Sequence, residues 1–381
     1  MKRAKPLQAL CPFVCLVSLA YAQPRLRTYE SKYYVIHTDL AGEEFRAADQ
    51  RITAMAEEFY QRTKGFSGRI TRKLPFYLFS KPADYYAAGG LPGSAGVFNG
   101  QQLMAIAGSR ESGSTWRIIQ HEGFHQFAHA VIGGDIPVWM NEGLAEYFGE
   151  SLYTGDGYVT GVAPPQRIRR LQTWIKRGNA ISIREMMRMP HMLWNAQMNI
   201  VNYDQAWSMV YFLAHGDGGR YQKAFNGFLR DVGRGAGWER AWQRHFGAGT
   251  RDFEKRWKTY WLEMKADHSA EMYAEATVAT LTSFYARAFA EQQIYRSWPQ
   301  FVDAAKRGTL KSDARDWLSP ELLETALSRL NLLDKIEIRK RNGYQLVART
   351  KLGTELIGTF RVSNKRVFRG SVKVIVRRRG G

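Results

Sequence analysis

His121-Glu122-Gly123-Phe124-His125, and after it Trp139-Met140-Asn141-Glu142-Gly143-Leu144-Ala145-Glu146-Tyr147-Phe148, are the stretches on which the reading of this chain turns. On an α-helix, residues four apart share a face and stand about 5–6 Å apart. Two imidazoles so placed can reach one ion with Zn–N bonds of about 2.0–2.1 Å. Glu122 sits beside them and can take a proton from a water held on the ion. A catalytic zinc also needs a third protein ligand and one open position. Glu142 supplies the ligand, on the next helix after a turn short enough to fold it back. Glu146 is one turn further along the same face and can accept a hydrogen bond from the far nitrogen of a ligand histidine. A chain of this length carries His-Glu-x-x-His by chance roughly once in a hundred. The second stretch is what separates a metal centre from a helix with two packed histidines.

His129 extends the series on the same helix face. Eight residues of helix rise about 12 Å, so one ion cannot bind His121, His125 and His129 together. His129 is read as a supporting or packed histidine.

His-Glu-x-x-His followed by Asn-Glu-Gly-x-x-Glu resembles the gluzincin peptidases. The surroundings, from about Tyr33 to Met264, are most similar to the bacterial peptidase MA-like family, with a somewhat shorter gap between His125 and Glu142 than in the best-known gluzincins. The resemblance implies one zinc ion per chain on His121, His125 and Glu142, Glu122 as general base, and Glu146 as the acidic residue that orients a ligand histidine. It also implies a tyrosine or histidine on a later helix to stabilise the oxyanion. Tyr203, at a helix start, is the candidate and His215 the alternative donor; Tyr203 equally suits packing against Trp207. In gluzincins a strand just before the metal helix is an edge that pairs with extended substrate. Here that strand is 102–107, with Gln102, Met104 and Ile106 as substrate-binding residues, although Met104 and Ile106 equally suit a core hairpin. The chain lacks the Gly-x-Met-Glu-Asn motif with which M1 families hold a free N-terminus, which favours an endopeptidase.

The fold expected around these residues is α+β. A gluzincin-like catalytic domain has an N-terminal mixed sheet with the active-site helices (23–150), then a helical part (151–268). A small basic C-terminal domain containing β-structure follows (269–381). Tyr33 to His37 and Leu74 to Phe79 read as strands. Residues 41–63 carry Phe45, Ile52, Met55, Ala56 and Phe59 at helical spacing. Asn99-Gly100 signals a two-residue turn in a hairpin over 95–107. One helix starts near Ser114 and stops at Gly133-Gly134; the next follows Pro137 and ends near Gly149. Residues 166–264 are mostly helical, with stops at 216–219, 233–237 and 247–249. Their aromatics (Trp174, Trp207, Tyr211, Phe212, Trp238, Trp242, Trp257 and Trp261) read as core rather than a ligand box. Helices continue to about Leu330. A hairpin around Asn342-Gly343 and strands at 356–362 and 367–376 then end the chain.

Composition sets the compartment. The 381 residues are 45% hydrophobic and 24% charged, ordinary for a globular protein. Lys2, Arg3 and Lys5, an apolar run from Leu7 to Leu19, and Ala20-Tyr21-Ala22 read as a secretory signal over residues 1–22, too short for a membrane span. Both cysteines, Cys11 and Cys15, fall inside it, which leaves no disulfide and no thiolate ligand beyond it. A bacterial secreted or periplasmic protein is expected. Of the formal charge of +20, three cations belong to the leader, and residues 335–381 carry 14 Lys/Arg against Glu337 and Glu355. This basic end is either a solvated face of a small β-domain or an attachment to an anionic envelope surface, polymer or phospholipid. Export and the absence of a recognised module argue against nucleic acid.

Zinc-dependent hydrolysis of a peptide or protein substrate is therefore the leading expectation. A non-catalytic envelope-binding protein with a vestigial or structural zinc, and a zinc hydrolase of cell-wall peptides, are the alternatives. A structural zinc usually takes four protein ligands, often cysteines, whereas here the base and an open-site ligand set are intact.

Overall fold

The computed structural model describes residues 25–107, 112–197, 199–341, 343–368 and 370–377. Residues 1–22, read above as a secretory signal and holding both cysteines, lie outside them, as do Asn342 and Arg379. The chain is α+β. It begins with β1 (Arg27–Glu30), β2 (Tyr34–Thr38), α1 (Gly42–Thr63), β3 (Leu74–Phe79), α2 (Pro82–Ala87), β4 (Gly96–Phe98) and β5 (Leu103–Ile106). The metal-motif helices are α3 (Ser112–Val131) and α4 (Val138–Gly149). The helix spacing read at 41–63 holds: Ile52, Met55, Ala56 and Phe59 are all buried on α1.

The first sheet has the order β1-β2-β3-β5-β4, parallel at its centre and antiparallel at both rims. The hairpin expected over 95–107 is present, but Phe98 pairs with Leu103, so four residues connect its strands rather than two. Asn99 Oδ1 closes the turn by accepting from the amides of Gln101 and Gln102, with Gly100 at φ 89°. One expectation is corrected here. β5 has a partner on each side, so Gln102, Met104 and Ile106 cannot receive an added strand. Met104 and Ile106 are instead buried with Phe79 and Tyr85, and the edge strand on this side of the sheet is β4.

α3 begins two residues before Ser114 and ends where Gly133 and Gly134 both take φ 67°. A short hairpin, β6 (Leu152–Tyr153) and β7 (Tyr158–Val159), interrupts the expected helical region. Then come α5 (Pro165–Lys176), α6 (Ile183–Arg188), α7 (His191–Gln197), α8 (Ile200–Gly219), α9 (Gln222–Gly233), α10 (Trp238–Phe246) and α11 (Arg251–Glu263). α8 leaves helical geometry from Gly216 to Gly218, α9 stops at Gly233 and α10 before Gly247, at the glycine clusters read as stops. Trp207, Tyr211, Phe212, Trp242, Trp257 and Trp261 are buried in one apolar core that runs from Tyr34 to Met264. Two glycines set how closely its helices approach. A Cβ on Gly123 would stand 2.7 Å from Met55 Cε of α1, and one on Gly143 would stand 2.5 Å from the Ala206 carbonyl oxygen of α8. Gly143 thus lets α8 lie against α4 beside Glu142.

A second core forms around α12 (Ala270–Ala290), with α13 (Trp298–Lys306), α14 (Pro320–Ser328), β8 (Leu333–Lys340), β9 (Tyr344–Thr350) and β10 (Glu355–Thr359). β11 (Val362–Ser363) and β12 (Arg366–Val367) make a small ribbon, and β13 (Lys373–Arg377) follows. The single strand expected at 367–376 is broken, since β12 and β13 belong to different sheets. The main sheet is antiparallel, β13-β10-β9-β8, with one face on α12. No helix among the described residues is long and apolar enough to cross a membrane.

Candidate metal centre

His121, His125 and Glu142 come together as the helix spacing requires. Their facing atoms form a triangle: His121 Nε2 to His125 Nε2 is 3.1 Å, and Glu142 Oε2 lies 3.4 Å from the first and 3.5 Å from the second. Donors arranged tetrahedrally around an ion at about 2.0–2.1 Å stand about 3.3–3.4 Å from one another. The triangle therefore has the dimensions of one face of such a tetrahedron. Glu142 Oε2 is also buried without a hydrogen-bond partner among the described residues. A buried, unpartnered carboxylate oxygen between two imidazoles fits the donor side of a cation site. The donor set suits zinc: two imidazoles and one carboxylate.

Neighbouring charges hold these groups in place. Glu146 Oε1 lies 3.2 Å from His121 Nδ1, so the ring can donate to it and turn Nε2 toward the triangle. Burial opposes a charge on His121, but the Glu142 and Glu146 carboxylates beside its two nitrogens outweigh it and raise the imidazole pKa well above its ordinary value. Burial likewise opposes the Glu142 carboxylate, yet the charge of His125, and then His121, close beside it at 3.5 and 3.4 Å, pulls its pKa down to about 2. Glu146 is also buried, and Arg167 and His121 keep its pKa well below the usual carboxylate range.

Arg167 is the residue that sequence reasoning missed. It is 3% exposed on α5 and carries three carboxylates. Its guanidinium reaches Glu146 on α4 and, at 2.8 Å, Glu150 just after it, and Nε lies 2.7 Å from Asp204 Oδ1 on α8. It stacks 4.6 Å over the Trp207 ring. Arg117 of α3 adds contacts of 3.4 Å to both Glu146 and Glu150. Four helices are thereby tied at one point, directly behind a candidate ligand. The amphipathic helix α5 carries no motif for this; the only signal was an arginine next to the apolar positions Ile168 and Leu171.

Glu122 accepts a hydrogen bond from the Phe98 amide at 2.8 Å. That N–H is not used by β5, so it points to the open side of β4, and the carboxylate lies at the sheet's free edge. Tyr203 stands at the start of α8 with its ring centroid 6.5 Å from that of His121 and 5.0 Å from that of Trp194. Trp207 packs instead on Tyr211 and Trp261. Burial, then the charge of Glu142, raises the Tyr203 pKa. His215 is not brought to the site. It lies three turns along α8, about 18 Å from Tyr203 by helix rise, and its Nε2 is 2.9 Å from the Tyr147 hydroxyl. His129 is exposed and packs on Phe98 with centroids 5.6 Å apart, away from the triangle.

No curated protein matches this chain. A family described as a protein of unknown function (DUF1570) matches residues 116–234. Over the stretch that carries His121, Glu122, His125, Glu142, Glu146, Arg167 and Tyr203, the chain is similar to that uncharacterised family.

Proposed function

We propose that this chain is an exported, gluzincin-like zinc peptidase, acting as an endopeptidase on extended peptide. The observation that carries the reading is the triangle of His121, His125 and Glu142, with edges of 3.1, 3.4 and 3.5 Å. Zinc bound there supplies Lewis acidity, making water more acidic and polarising a carbonyl. Glu122 takes the proton from the attacking water and returns it to the leaving amine. Its tie to Phe98 places that carboxylate at the edge of β4, where an extended substrate adds as a strand. Tyr203 donates from its hydroxyl to the oxygen that gains charge; burial and Glu142 keep that proton on the phenol at neutral pH.

The test is metal stoichiometry and cleavage of casein or a peptide library, for wild type, Glu122→Gln and Tyr203→Phe. One zinc per chain in all three is expected, with cleavage reduced about 10²–10⁴-fold by Glu122→Gln and about 10²–10³-fold by Tyr203→Phe. Zinc bound without cleavage by wild type of any peptide, cell-wall peptides included, would sink the peptidase reading. Unchanged turnover in Tyr203→Phe would remove only that residue's role.

A further inference from the structure

The basic end of the chain folds into a surface with a definite pattern, which strand register reveals. On the main sheet of the second core, Ile336, Ile338, Leu346, Ala348, Leu356 and Val374 face α12. The alternate residues share the opposite face. Three rows cross it. Lys335, Arg349, Glu355 and Arg377 are partners in one; Glu337, Val347, Ile357 and Ile375 form the next; Arg339, Gln345 and Lys373 lie in the third, with Thr359 opposite Lys373. In the middle row Val347 and Ile357 are buried between their neighbours and Ile375 is exposed, and cationic rows border it on both sides. Five cations share the face with two carboxylates, and both carboxylates are already engaged: Glu337 by Lys335 and Arg339, Glu355 by Arg339 and Arg377. Arg349 and Lys373 are exposed and have no ion-pair partner among the described residues.

We infer that this outer sheet face docks the protein on an anionic phospholipid bilayer. The charge surplus selects a polyanionic partner, and two features favour a bilayer over a soluble polyanion. A four-stranded sheet offers a broad array of cations, suited to a surface of many headgroups. Large apolar side chains are also exposed on the face and at its end: Ile375 at 46% on the face and Leu352 at 72% on the β9–β10 turn. Those side chains gain by entering the headgroup layer, whereas a dissolved polyanion offers them nothing. The inference is independent of the metal centre.

The test uses the full chain in sedimentation with vesicles of phosphatidylcholine alone or mixed with phosphatidylglycerol, and retention on heparin in parallel. Binding only to the anionic vesicles, weakening steeply with salt, is expected. Each cation near such a surface is worth about fivefold in partition, so Arg349→Glu with Lys373→Glu should weaken binding at least about 25-fold. Leu352→Ser with Ile375→Ser should weaken vesicle binding while leaving heparin retention unchanged. Thermal unfolding of each variant controls for folding. Heparin retention without vesicle binding, or vesicle binding indifferent to the paired charge reversal, overturns the inference.

Discussion

Around Arg167, where α4, α5 and α8 meet, the charged side chains are buried and closed on one another, whereas on the outer face of the second sheet the cations are exposed and outnumber their partners. Arg167, at 3% exposure, meets Glu146, Glu150 and Asp204. Arg339 also meets two carboxylates, Glu337 and Glu355, but its side chain is 46% exposed. The chemistry is the same and the surroundings differ. In a low-dielectric interior a charge that loses its partner has no water to replace it, so each group fixes the position of the next. At the surface water competes, and the charges remain available to something outside. The first arrangement fits groups that must be held for a reaction; the second fits a surface that must meet a partner.

The sharpest way to break this comparison is Arg167→Met. It takes the shared cation from Glu146, Glu150 and Asp204, leaving the first two to Arg117 at 3.4 Å and the third to Arg170 at 2.9 Å, and removal of one partner from a buried ion pair costs about 3–5 kcal/mol. Denaturant unfolding should show that loss. Zinc affinity should fall about 10–100-fold as well, because Glu146 would no longer be held against His121. A change below about 1 kcal/mol, with zinc binding intact, would mean that the four-helix tie is not what positions the site.

A smaller effect comes from the far end of α8. Burial, then repulsion from Arg62 and His268, lowers the His215 pKa to about 4. The unfolded chain takes up this proton near pH 6.5 and the folded chain only near pH 4, so between those values the unfolded state holds more protons. The contribution is therefore complete above pH 6.5 and is lost as pH falls toward 4, amounting to about 2 kcal/mol once residual solvent access is allowed for. His215→Gln keeps an acceptor for Tyr147 and removes the titration. Its unfolding free energy should depend less on pH than wild type across that window; parallel curves would refute the assignment. The result also separates His215 from the reaction, since Gln there should leave kcat unchanged.

How much of this was legible follows from the range of each interaction. The ligand triangle was readable because i, i+4 geometry and one short turn determine it locally: His121, His125 and Glu142 need only two helices and Pro137. The helix stops at Gly133 and Gly233 were readable for the same reason. The identity of the edge strand was not. Met104 and Ile106 carry the apolar pattern of any strand, and only strand order shows that β3 and β4 close both sides of β5. Arg167 was hidden more deeply. Its partners lie on two other helices, and Asp204 is silent in sequence until Gly143 lets α8 approach α4. His215 was misplaced because a helix brings only one end to a site, and no spacing rule says which.

The smallest predicted effect is also the closest counterpart to the largest. Arg339→Ala removes a guanidinium from two carboxylates, as Arg167→Met removes one from three, but on the solvent side of β8. Exposed pairs of this kind are worth about 0–1 kcal/mol, because water and salt replace the lost partner. The unfolding free energy should move by less than about 1 kcal/mol, and the difference should shrink further at high salt. Binding to anionic vesicles should fall by more than stability does: one cation leaves the face and Glu337 and Glu355 are partly uncovered, so the local charge drops while the fold stays. A stability loss as large as that of Arg167→Met would mean that the cations of the second sheet are structural, and the contrast between the two regions would collapse.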